Sequence, residues 1–136
     1  MGAFFQELEN AEKNTDYLTG LYNRRGMGEL WASLSEGTEV HCLYIDVDNF
    51  KLVNDIYGHA KGDELLVFIS VLLREIFEGQ LVVRMGGDEF VVFCDGALQI
   101  SDMERKLQQM QEGLRSGDFD VNVEKLLSFS IGVSYG

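Results

Sequence analysis

RMGGDEF, residues 84–90, decides how this chain is read. Apolar runs flank it, LVV (81–83) before and VVF (91–93) after. Two glycines and two acids interrupt what would otherwise be one β segment. A Gly-Gly pair between β-forming runs signals a hairpin. Neither run alternates apolar with polar residues, so the hairpin is expected to be central in a sheet and covered on both faces. The turn sets Asp88 and Glu89 at a strand end. A plain hairpin with acids beside it looks the same, so the stretch alone leaves a structural and a chemical reading open.

The elements around it follow from periodicity. Residues 40–46, VHCLYID, are rich in β-formers and read as a strand ending at Asp46. A short helix is expected over 49–56, then a Gly-His loop, with Asp63 as N-cap of the next helix. The following run, ELLVFISVLLREIF (64–77), is too long for one strand in a small domain and reads as a buried helix. Residues 101–115 form an amphipathic helix with Met103, Leu107, Met110 and Leu114 in phase, and 126–135 read as a last strand. Upstream, residues 24–34 carry Met27, Leu30, Trp31 and Leu34 at helical spacing, closed by Gly37. Residues 3–14 read as an amphipathic signalling or linker helix with Phe4, Phe5 and Leu8 on one side, set apart from a domain over 16–136. Strands interleaved with helices in this order make an α+β fold, a central mixed or antiparallel sheet flanked by helices.

Composition narrows the function. The 136 residues are 46% hydrophobic, globular rather than disordered, and sufficient for one core. A formal net charge of -12 and a pI near 4.4 repel nucleic acid polymers and anionic membranes. A small anion binds such a surface only where local positive charge or a divalent cation helps. Cys42 and Cys94 lie apart in apolar runs and read as buried free thiols in a reducing compartment. With no signal-peptide pattern or membrane-spanning run, the expected location is the cytoplasm, either alone or as the cytoplasmic part of a larger or membrane-bound sensor.

Asp46 and Asp48 stand where a strand turns into a helix. The helix start near Asn49, Phe50 and Lys51 offers free backbone N–H groups, the positive end of a dipole and a lysine, which suits phosphate. If the hairpin neighbours that strand, Asp46, Asp88, Glu89 and Asp48 converge. Like charges so close raise one another's pKa values unless a divalent cation intervenes, and magnesium prefers such hard oxygen ligands. Gly86 and Gly87 leave room for phosphate or sugar against the backbone.

Four segments in order, DYLTGLYNRRG (16–26), YIDVDNFKLVNDIYGHAKGDELL (44–66), RMGGDEF (84–90) and SFSIGVS (128–134), resemble the GGDEF domain of bacterial diguanylate cyclases. The resemblance implies a nucleotidyl-cyclase-like fold with a ferredoxin-like core. It implies condensation of two GTP into cyclic di-GMP with loss of pyrophosphate, by two domains meeting as a homodimer. Asp46, Asp88, Glu89 and the Val47 carbonyl would hold Mg2+. Asp88 or Glu89 would serve as base for the ribose 3′-hydroxyl. Lys51 and the backbone around Phe50 would steady phosphates, Asn54 and Asp63 would read guanine, and His59 would lie near ribose or phosphate. One carboxylate can accept both N1–H and N2–H of guanine. Adenine lacks that donor pair, so Asp63 would reject ATP by being left unpaired.

Two departures from the family pattern carry expectations. Phe77 and Gln80 stand where many members have the Arg and Asp of a product-inhibition site, so none is expected here. Family domains continue past the SIGV strand into a basic helix. The piece ending at Gly136 would lack it and be weakly active or inactive by itself. Two other functions stay open: a non-catalytic GTP-binding regulatory module, and a related cyclase acting on a single nucleotide.

Overall fold

A computed structural model of the chain describes residues 13–33, 40–95, 100–116 and 129–135. The elements are α1 (Arg24–Ser33), β1 (Val40–Val47), α2 (Phe50–Tyr57), α3 (His59–Ile76), β2 (Leu81–Gly86), β3 (Glu89–Asp95), α4 (Ile100–Ser116) and β4 (Phe129–Tyr135). The expected 3–14 helix lies outside the described residues except for its last two positions, as do Leu34 and Gly37. The side chains of Trp31 and Leu114 are likewise outside them.

The strands order β2-β3-β1-β4, and each adjacent pair is antiparallel. This is the α+β, ferredoxin-like arrangement expected, with two helices in the first crossover. β1 shows why a strand forms here. Leu43, Ile45 and Val47 are buried on one side, while Tyr44 and Asp46 point out between them. That inner row packs with Val53 of α2, Leu65, Leu66, Ile69 and Leu73 of α3, and Met103 and Met110 of α4. Each such side chain stabilises the fold by roughly 1.5–3 kcal/mol on burial.

Four expectations are corrected. The hairpin is not wholly central: β3 is an inner strand, but β2 lies at the end of the sheet. Phe90, Val91 and Val92 are buried in succession, so β3 is covered on both faces, and α1 contacts β2. The outer edge of β2 is partly occupied by Tyr22, which bridges Val83 and accepts the Arg84 N–H at 2.9 Å. Secondly, α3 begins at His59, so Asp63 lies inside the helix and is not its N-cap. Gly58, at φ 92°, makes the whole break between α2 and α3 in one residue, leaving no Gly-His loop. Thirdly, α3 is not buried all round: Val67 and Val71 face solvent. Lastly, Cys94 is buried but Cys42 is only half-buried, because it stands on the β1 side opposite Leu43. Both thiols are free.

β2 carries a bulge. Arg84 pairs with Phe90 and Gly86 with Glu89, so Met85 is one residue more than β3 offers opposite.

Candidate active site

The acids meet at one end of the sheet. Asp46 sits opposite Glu89 in the β1–β3 ladder, and the Val47 N–H donates to the Asp88 carbonyl at 3.3 Å. The ladder, rather than side-chain packing, fixes their separation. The Asp88 and Asp46 side chains stand close enough to act on each other's charge. Burial pushes the Asp88 carboxyl above the usual carboxylate range, and the Asp46 and Glu89 charges push it further, against a lowering backbone hydrogen bond. Of the four carboxylates expected to converge, Asp46, Asp88 and Glu89 come together here. Among the described residues no group of three or more His, Cys, Asp and Glu side chains is arranged to hold a metal ion. The Asp46–Asp88 pair is the intimate one.

The chain leaves β1 through Asp48 and Asn49 and enters α2. Asn49 adopts a left-handed conformation (φ 63°) and makes no side-chain cap on the helix. Phe50 and Val53 anchor α2 in the core, which leaves Lys51 exposed in the first turn. An N-terminus of this kind, with a lysine beside it, favours an anion. Chain connection and the Val47–Asp88 bond put it at the same sheet end as the acids.

Asn54, His59 and Asp63 belong to a second region, the α2–α3 corner. Gly58 donates its N–H to the Asn54 carbonyl at 2.9 Å, and Asn54 packs against Gly62. His59 and Asp63 are exposed, and Asn54 is half-buried. Gly86 and Gly87, both exposed, have φ of 152° and 52°; the second requires the left-handed region that glycine enters freely.

One constellation escaped the sequence reading. Arg84 reaches in two directions from β2. Its Nη1 donates to both carboxylate oxygens of Asp16, at 3.1 and 3.0 Å, while Nε and Nη2 donate to the Gly87 carbonyl at 3.1 and 2.8 Å. Asp16 also accepts from the Thr19 N–H at 2.8 Å and hydroxyl at 2.7 Å. Burial pushes the Asp16 carboxyl up, but the Thr19 bonds and then Arg84 outweigh it and hold it below the usual range. The turn over residues 16–20 is thus tied to the glycine turn across 68 positions of sequence. A lone Arg in an apolar strand and an Asp-x-x-Thr turn were the available signals.

Phe77 is buried at the end of α3, under the Lys106 ammonium at 5.7 Å from its ring centre. It borders, with Arg74, Gln80 and Val82, a shallow pocket of about 240 Å³. Position 77 therefore supplies core contact rather than charge.

A four-stranded antiparallel sheet with helices packed against it and an acid pair beside a helix N-terminus is the nucleotidyl-cyclase-like α+β class. Within that class, the family model for "Diguanylate cyclase, GGDEF domain" matches residues 13–136, and the chain belongs to this family. It is similar to a diguanylate cyclase of Vibrio cholerae, at 41% identity over 91 residues, covering 60% of this chain and 27% of that protein. It is also similar to the cyclic di-GMP phosphodiesterase PdeR of Escherichia coli, at 37% over 133 residues, covering 95% of this chain and 20% of that protein. The chain thus spans well under half the length of both. Among solved structures, the GGDEF domain of TpbB (YfiN) from Pseudomonas aeruginosa superposes with a TM-score of 0.71 at 31% identity, covering 89% of this chain and 74% of that one. Diguanylate cyclase SiaD of the same organism, solved with its activator SiaC, gives 0.75 at 30%, covering 99% and 55%. No helix among the described residues is long and apolar enough to cross a membrane.

Proposed function

We propose that this domain binds GTP with magnesium and condenses two GTP into cyclic di-GMP, releasing pyrophosphate. The observation that carries this reading is the Asp46–Asp88 pair at the strand end beside the start of α2. Two hard carboxylates that crowd each other fit a magnesium ion, which takes one or two carboxylates and completes its shell with phosphate oxygens and water. Asp46 and Asp88 would hold it, with the Val47 carbonyl as a further ligand and Glu89 close by. When bound, it supplies charge neutralisation at the phosphates and a lowered pKa for the attacking hydroxyl.

The chain's own residues do the rest. Lys51 and the backbone N–H groups at Phe50 hold the phosphates, and Gly86 and Gly87 let them approach the hairpin. Asn54 and Asp63 read guanine, with His59 toward ribose or phosphate. Asp88 or Glu89 accepts the 3′-hydroxyl proton. Each domain binds one GTP, so turnover requires a two-fold pair of domains presenting each 3′-hydroxyl to the other's α-phosphorus. Phe77 and Gln80 offer no charged pair, so cyclic di-GMP should not inhibit through that surface.

Calorimetric titration of GTP, with and without Mg2+, tests binding. Pyrophosphate release and product identification test turnover, in the 136-residue chain and in a version extended past Gly136. Magnesium-dependent GTP binding with cyclic di-GMP as product is expected. No GTP binding in either form removes the proposal.

A second reading, a non-catalytic GTP-binding regulatory module, is favoured by one observation. PdeR, a relative named as a phosphodiesterase, matches 95% of this chain with a fifth of its own length. Tight GTP binding without pyrophosphate release in the extended version would select it. A mononucleotide product would instead select a cyclase acting on one nucleotide.

A further inference from the structure

The α2–α3 corner contains a residue whose contribution is the side chain it lacks. Gly62 is buried in the first turns of α3 and donates its N–H to the Gly58 carbonyl at 3.2 Å. Its backbone is helical, so no left-handed conformation requires glycine there. Inside a helix, glycine is less favourable than alanine. What the position requires is space. A Cβ at Gly62 would overlap Asn54 Oδ1 outright, and would lie 2.9 Å from Asn54 Cγ and 3.3 Å from Phe50 Cζ. Gly58 makes the contrast. Its φ of 92° needs glycine, yet a Cβ there would meet nothing within 4 Å.

We infer that Gly62 is a specificity-determining positioning residue: by lacking a Cβ it sets where the Asn54 carboxamide stands next to Asp63, and so how the corner reads a purine base. This rests on the reading that Asn54 and Asp63 contact guanine. The Asn54 carboxamide brings one acceptor and two donors to the base edge, and Asp63 brings an acceptor pair. A methyl at position 62 displaces the flexible carboxamide rather than the helices, because the collision falls on the far atoms of Asn54. The loss is then in base recognition, with Asp46, Asp88 and Lys51 undisturbed.

The test is calorimetric binding of Mg2+·GTP, Mg2+·ITP and Mg2+·ATP to the 136-residue chain, with thermal melts alongside. ITP lacks the guanine 2-amino group. Gly62→Ala is expected to weaken GTP about tenfold, the worth of one hydrogen bond, and to narrow the GTP-over-ITP preference. The double variant Gly62→Ala/Asn54→Ala should bind GTP as Asn54→Ala does, since the overlapped atoms are gone. It should also fold normally even if Gly62→Ala alone folds poorly. Unchanged GTP affinity in Gly62→Ala, alongside weakened affinity in Asn54→Ala, overturns the inference and leaves the guanine site intact. The same is true if Gly62→Ala weakens binding as much in the Asn54→Ala background. If Asn54→Ala and Asp63→Asn both bind GTP as the parent chain does, the guanine site itself is wrong and the inference falls with it.

Discussion

The sheet end and the helical corner hold their side chains by different means. Asp46 and Glu89 face each other in a hydrogen-bonded ladder, held by buried Ile45 and Val47 around Asp46 and by buried Phe90 beside Glu89, and the Val47 N–H fixes the backbone at Asp88. Asn54 and Asp63 hang from two helices whose approach is set by Phe50, Val53 and the bare backbone of Gly62. A conservative change at the sheet end should therefore alter charge and leave geometry in place. A comparably small change in the corner should alter geometry and leave charge in place.

The largest effect expected is at the sheet end. Asp88→Asn keeps the shape and removes a crowded charge. Turnover in the extended protein should fall by about 10²–10⁴-fold, while the melting temperature should rise by roughly 2–5 °C as the repulsion from Asp46 and Glu89 is relieved. A fall in melting temperature would show that the pair supports the fold and would blur the distinction.

Next comes the tie that steadies the glycine turn. Arg84→Ala removes the donors to Asp16 and Gly87 and leaves a partly buried carboxylate unpaired. Urea denaturation should show a loss of about 1–3 kcal/mol. Adding Asp16→Asn should cost much less than its own single effect, because the two belong to one network.

A smaller effect separates by pH. The Asp16 carboxyl is held below its ordinary value, so its stabilisation is fully present above the unfolded pKa of about 3.9 and is lost as pH falls through the folded one. The urea midpoint of the parent chain should drop below about pH 4 more steeply than that of Asp16→Asn. Parallel profiles would remove Asp16 from the account.

Smallest of all is the ion pair at the corner. Lys61 and Glu64 approach to 3.5 Å, but their side chains are 31% and 66% exposed. Glu64→Gln should change stability by less than about 0.5 kcal/mol. A larger change would mean that the corner depends on charge after all.

Much of this fold is legible along the chain because its signals are local. The alternation in 40–47 gives β1 and its outward Asp46, and the glycine pair gives the hairpin. The phase of Met103, Leu107 and Met110 gives α4. The start of α3 is not legible, since His59, Ala60, Lys61 and Gly62 carry no apolar phase. What starts the helix there is the backbone conformation of Gly58. The edge position of β2 is not legible either: Val82 and Val83 are buried, as they would be in a central strand, because Val82 packs into the core and the Tyr22 segment bridges Val83. Of the site, the acids announce themselves by standing at strand ends. The Arg84–Asp16 tie spans the fold, and the function of Gly62 is visible only once two helices are packed.

The bulge at Met85 has a bearing on how this hairpin tolerates change. It acts as a vernier, advancing β2 by one step relative to β3 before the tip is reached. The burial of Phe90, Val91 and Val92 forbids that strand from sliding to compensate, since a single step would carry the exposed Glu89 into the buried position of Phe90. Any residue gained or lost between positions 85 and 88 must then be absorbed at the tip itself, so the loop's length is set as strictly as its composition.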